Sequence, residues 1–237
     1  MGTTLLILGF LLGMRHATEA DHLAAMATIA SRSNDFRSTA LQGAAWGIGH
    51  TVTLLIFGGV ALLIGGMIPD NYAHLLEFAV GLMLVGLGVD VLRQLFRKRI
   101  HFHEHSHNDG VRHFHAHAHE TATGHDENNH NHRHEKYLPR RALFVGLMHG
   151  MAGSAALIVI TAEKTVNLSS ALVYILIFGL GSIIGMAMLS VAIMLPMRKL
   201  QQCHLPRYYK TAQYGVGLFS IFLGVWVCQE NLFMLGM

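Results

Sequence analysis

Arg15, His16, Glu19, Asp21 and His22 interrupt a stretch that is otherwise apolar from Thr4 to Ala30. A charged group at the centre of a membrane helix costs roughly 2.5–3.5 kcal/mol on insertion scales, so this cluster needs a chemical reason. Arg15 and Glu19 stand four residues apart and can pair on one helix face, largely neutralising each other. His16, Asp21 and His22 remain. Neutral imidazole ligates nickel, copper and zinc, and a carboxylate beside it can orient the ring and offset the charge of an ion. A straight helix opposes this arrangement. At about 100° per residue, His16 and His22 point about 120° apart and Asp21 lies about 140° from His16. Either the segment is distorted, with Gly13 easing the distortion, or Asp21 acts on a ligand rather than on the ion.

Two more histidines share the apolar regions: His50 in "GIGHTVTL" and His149 in "GLMHGMAG", both near mid-stretch and at a depth similar to His16. Any one of them could be an ordinary core histidine bonded to a backbone or hydroxyl group. Four histidines in six apolar stretches, three of them flanked by glycine, point instead to a metal pathway. The candidate metal-binding set is therefore His16, Asp21, His22, His50 and His149. Asp90 is a further intramembrane carboxylate that can assist, and Glu77 reads as interfacial. The methionines read as core filler. Cys203 and Cys228 are far apart and suggest neither a disulfide scaffold nor a thiolate site.

These residues must be held by membrane helices. The 237 residues are 52% hydrophobic and only 13% charged, against about 25% charged in a soluble domain. Six apolar stretches reach the ~20 residues needed to cross a bilayer: 3–30, 39–66, 72–96, 139–162, 168–197 and 208–235. Pro69-Asp70-Asn71 reads as a tight turn, Pro139 suits a first helical turn, and Pro196 and Pro206 bracket the last connection. The N-terminus has no basic region or small-residue cleavage site, so no removable signal peptide is expected. Lys and Arg gather after the first, third and fifth stretches (Arg32, Arg37, Arg97, Lys98, Arg99, Lys136, Arg140, Arg141, Arg198, Lys199, Arg207 and Lys210), while the opposite connections offer Lys164. The positive-inside rule makes the odd connections cytoplasmic and puts both termini outside a multi-pass cell-membrane protein, in the inner membrane if the cell is Gram-negative. The basic residues sit at helix ends, so the net charge of +3 is no nucleic-acid signal.

The two halves of the chain repeat. "FAVGLMLVGLGVDV" (78–91) matches "YGVGLFSIFLGVWV" (214–227), "WGIGHTV" (46–52) corresponds to "FGLGSII" (178–184), and "GMRHATEADHLA" (13–24) to "GLMHGMAGSAAL" (146–157). The last match sets His16 opposite His149. Three spans per half require the halves to point opposite ways across the membrane. The expected fold is an all-α integral membrane protein with six transmembrane helices as two inverted three-helix repeats, at 1–97 and 139–237. Residues 98–138 between them hold twelve of the 18 histidines and almost no aliphatic side chains. This segment cannot bury a core and is expected to be a disordered cytoplasmic loop. Its H-x-H spacings and largely neutral imidazoles suit it to buffer, deliver or sense metal at the cytoplasmic mouth.

"HATEADH" (16–22), a His, four residues, then Asp-His, resembles the signature helix of the nickel/cobalt transporter family, and "GHTV" (49–52) resembles that family's second motif. "HGMAGSAAL" (149–157) is similar to the shorter urease-accessory, UreH-type branch and departs from the Phe-Asp motif of longer members. The resemblance spans all six stretches. It implies a permease for Ni²⁺ or Co²⁺ as transported substrate, with no cofactor, with His16, Asp21 and His22 essential and His50 supporting them. It implies nickel uptake for a nickel enzyme such as urease, with a cytoplasmic nickel chaperone or urease assembly protein as partner class and no nucleic acid. Efflux is the alternative, because some efflux members also carry a His-rich cytoplasmic loop. A metal sensor or assembly partner would bind without transporting. An intramembrane His-box metalloenzyme needs about eight histidines in close pairs at the cytoplasmic surface, and the chain contains no H-E-x-x-H.

Overall fold

The computed structural model describes residues 2–33, 35–64, 70–97, 101–106, 112–117, 139–152, 168–203 and 205–236. Seven helices occur among them: α1 (Thr3–His16), α2 (Ala20–Ala30), α3 (Phe36–Ile64), α4 (Asp70–Arg97), α5 (Arg140–Ala152), α6 (Leu168–Gln202) and α7 (Pro206–Met234). Four are by themselves long and apolar enough to cross a bilayer: Phe36–Leu63, Asn71–Arg97, Leu168–Gln202 and Pro206–Met234. Large apolar side chains stand exposed along them, among them Ile56, Leu82, Leu180 and Phe222. Hydrocarbon solvates such faces and water does not.

The first apolar stretch is two helices. α1 stops at His16, the Thr18 hydroxyl donates to the Arg15 carbonyl at 2.6 Å, and Glu19 takes an extended conformation before α2 begins. The expected fourth span is described only as α5, with 153–162 outside the described residues, as is Pro69 of the expected turn. Pro196 does not end α6, which continues to Gln202. A proline removes one helical hydrogen bond and leaves the bonds on either side intact. Pro206 does open α7, at its first turn.

Part of the histidine-rich segment, expected to lack structure, forms an antiparallel pair, β1 (His101–Ser106) and β2 (Arg112–His117), whose backbone register pairs positions 101, 103 and 105 with 117, 115 and 113. Histidine at alternate positions suits the two-residue strand period. The other residues of 98–138 lie outside the described residues.

α3 packs between α5 and α6, α1 packs on α6, and α4 pairs with α7. Glycines let these backbones touch. A Cβ on Gly13 would strike the Phe178 carbonyl and one on Gly146 the Trp46 carbonyl, while Gly181 meets the Phe10 carbonyl and Gly49 the Leu143 carbonyl. Between α4 and α7, Gly81 lies against the Gly224 carbonyl and Gly88 against the Gly217 carbonyl, and the Ser220 hydroxyl donates to the Leu84 carbonyl at 2.8 Å. The main buried cluster joins Ala25 and Met26 of α2, Trp46 of α3, Leu84 and Leu87 of α4, Val145 of α5 and Met186 of α6.

Candidate metal site

The break between α1 and α2 answers the geometric objection raised by a straight helix. It turns His16 and His22 toward each other, with ring centroids 4.4 Å apart. It also carries Glu19 out of helical register with Arg15. Glu19 therefore meets His16, its Oε1 2.9 Å from His16 Nδ1, instead of the expected Arg15 partner. Asp21 opens α2, where a carboxylate suits the exposed backbone N–H groups. Its Oδ1 accepts from the His22 backbone N–H at 2.8 Å and lies 2.9 Å from His22 Nδ1. Asp21 Oδ2 lies 2.9 Å from His149 Nε2, on α5.

His50 comes from the middle of α3, and its Nε2 stands 3.2 Å from His16 Nε2. All five candidate residues are thus brought together, in two overlapping groups. One is His16, His22 and His50; the other is Asp21, His22 and His149; within each, the donor atoms lie within 4.8 Å of one another. His22, His50 and His149 are 1%, 0% and 2% exposed. Among the described residues, His22 Nε2, His50 Nδ1 and His149 Nδ1 have no hydrogen-bond partner. Buried polar atoms are ordinarily satisfied, and three orphaned ring nitrogens in one cluster are what a cation site looks like when described without its ion.

The carboxylates decide which nitrogen is offered. A ring that donates from Nδ1 to a carboxylate keeps its Nε2 lone pair for an ion. Glu19 stands in this position for His16 and Asp21 for His22. Trp46, one turn before His50 on α3, stacks on the His22 ring at 5.9 Å and 4°. Glu19 and Trp46 lie beyond the expected set: Glu19 follows His16 by three residues across the break, and Trp46 precedes His50 by one turn of α3.

Asp90 does not assist this cluster. Its Oδ2 accepts from Arg141 Nη2 at 2.6 Å and from Arg32 Nη1 at 3.2 Å. Glu77, read as interfacial, lines a cavity of about 870 Å³ together with Glu19, Asp21, Glu230, Arg15 and the histidines His16, His22 and His149.

A buried, thiolate-free imidazole cluster in apolar helices can bind a borderline transition-metal ion such as Ni²⁺. A model of the NicO family, described as high-affinity nickel-transport protein, matches residues 2–227. The chain belongs to that family. As a NicO-family member it is a multi-pass membrane protein of a nickel-transport family and not an enzyme. It is 37% identical over 194 residues to the urease accessory protein UreH of Bacillus sp. (strain TB-90), a match covering 81% of this chain and 77% of that protein. No solved structure matches the chain.

Proposed function

We propose that this chain is a permease that carries Ni²⁺, and Co²⁺ by the same donor chemistry, across the cell membrane in the direction of uptake. The observation that carries this reading is the convergence of His16, His22 and His50 nitrogens, buried inside the helices and held by Glu19 and Asp21. His149 receives or passes on the ion beside them. Imidazole donors alone favour copper over nickel, so selectivity rests on enforced geometry and on which metal is supplied.

The two halves are inverted three-helix repeats around this site. Support comes from matched close approaches: Gly13 on Phe178 and Gly146 on Trp46, then Gly181 on Phe10 and Gly49 on Leu143. Each pair of contacts maps onto the other by the offset that aligns the halves in sequence. The Lys/Arg-rich end faces the cytoplasm and the termini face outside. Residues 98–138 then form a cytoplasmic segment that buffers metal. The kinship to a urease accessory protein supports supply of a nickel enzyme such as urease, through a cytoplasmic chaperone or assembly protein.

The test is radioactive nickel flux into proteoliposomes holding purified protein, with accumulation in cells that have or lack the protein giving the direction. Saturable flux and higher cellular nickel support uptake. Lower cellular nickel reverses the direction, and binding without flux makes the protein a sensor.

A further inference from the structure

Along its length α4 passes from the cavity, through the buried cluster, to the Lys/Arg-rich end. Glu77 and Val80 line the cavity that reaches the histidines. Leu84 and Leu87 come next and join the buried cluster with Ala25, Trp46 and Val145. Asp90 follows, about 15 Å from Val80 at 1.5 Å per residue. The cavity is bordered on α7 by Leu223, Trp226 and Glu230, near the end of the molecule that carries the C-terminus of the chain. Among the described residues, a cavity opens between α1 and the α4–α7 pair at this end, and toward the Lys/Arg-rich end the buried cluster fills the space between α2, α3, α4 and α5.

Among the described residues at that end, several polar contacts tie α4 and α7 to their neighbours, beside the bond from the Ser190 hydroxyl to the Thr39 carbonyl between α6 and α3. Asp90 takes one guanidinium from Arg32, just after α2, and another from Arg141, at the start of α5. Gln94 donates to the same carboxylate at 3.2 Å. On α7, the Tyr209 hydroxyl donates to the Ser31 carbonyl at 3.1 Å and the Gln213 amide to the Tyr209 hydroxyl at 2.8 Å. Within the pair the glycine contacts and Ser220 make α4 and α7 a single body. Three side chains from three elements thus meet at one half-buried carboxylate, directly behind the apolar plug.

We infer that Asp90, clamped by Arg32 and Arg141, is the latch that holds the α4–α7 pair closed at the Lys/Arg-rich end, and that its release opens the histidine site toward that end. Asp90 touches no candidate ligand; it acts by positioning α4. Removing its charge strands two arginines and weakens the closed arrangement relative to the open one, a population shift. The inference rests on the permease reading for its purpose, but the latch can be tested without flux.

Val145 lies 5% exposed in the plug, one turn from Arg141, and cysteine is close to valine in volume. In a Cys203→Ser, Cys228→Ser background, Val145→Cys reports access by its rate of labelling with a membrane-impermeant maleimide applied to both faces of proteoliposomes. Labelling is expected to be slow in this parent, at least tenfold faster with Asp90→Asn or Arg141→Gln, and slow again with Asp90→Glu. Nickel binding at the histidines is expected to persist in all of them. Unchanged rates in both charge-removal variants overturn the latch, as does fast labelling with Asp90→Glu. Fast labelling accompanied by lost nickel binding also overturns it, since general unfolding then exposes the thiol. A wild-type protein that carries no nickel would sink the permease reading and leave these rates as they are.

Discussion

Glu19 and Asp21 each place one oxygen on an imidazole Nδ1, of His16 and His22 respectively, and this fixes what each residue's loss should do. His16→Ala, Asp21→Ala and His22→Ala are each expected to abolish nickel flux while the protein still inserts, because removing polar groups from an apolar helix eases insertion. Wild-type flux in any two of them would remove these residues from the site. Glu19→Ala should behave differently. It leaves every donor nitrogen present and takes away only the group that orients His16, a loss of about 10–100-fold in metal affinity for such outer partners. Titration of purified, loop-deleted protein with Ni²⁺ measures it, and an unchanged affinity would mean that the Glu19–His16 contact does not orient the ring. Binding also requires neutral imidazole. Protons therefore compete with the ion for these nitrogens, and affinity should fall as acid protonates them.

At the scale of helices, the sequence carried the site more fully than it carried the shape of the elements. Periodicity alone already stated the conflict at His16 and His22, because two residues six positions apart on a straight helix point away from each other. It could not choose the resolution. No proline or glycine stands at 17–19 to mark a break, and the Arg15–Glu19 spacing argued for a continuous helix. The turn is made by tertiary demand: Glu19 finds His16, and Asp21 finds His22 and His149. The partners of Asp90 were not legible for a related reason, since Arg32 and Arg141 lie 58 and 51 residues away. The glycines were legible as packing residues but not sorted by role. Gly146 has the Trp46 carbonyl where its Cβ would be, whereas Gly86 has nothing within 4 Å. Gly146→Ala is therefore expected to destabilise the protein by about 1–3 kcal/mol, as overpacking does. Gly86→Ala should leave it unchanged or stabilise it by about 0.5–1 kcal/mol, the helix-interior advantage of alanine. Thermal denaturation in detergent compares them, and equal midpoints would contradict the close approach of α3 and α5.

At the scale of the whole molecule, the proposed function expects separable roles for the helices and the histidine-rich segment. The five candidate residues all come from α1, α2, α3 and α5, and none from residues 98–138. Deleting 101–134 removes none of them and leaves 98–100 and 135–139 to join α4 to α5. At about 3.3 Å per extended residue those eight residues reach roughly 26 Å. The gap is shorter than that reach. Arg141, next to the start of α5, already touches Asp90, and Arg97, the end of α4, lies about 10 Å further along that helix. The deletion should therefore fold, and its nickel flux should remain measurable. What should fall is the nickel bound per protein at equilibrium, because twelve of the 18 histidines are gone. The flux at low external nickel should change as well, since a segment that holds ions at the mouth sets how many are retained there. Equilibrium dialysis and initial-rate flux on the same preparation separate the two effects. A deletion variant that keeps its thermal midpoint but carries no nickel would make the segment an obligatory part of the route, with the helix-borne histidines only one station on it.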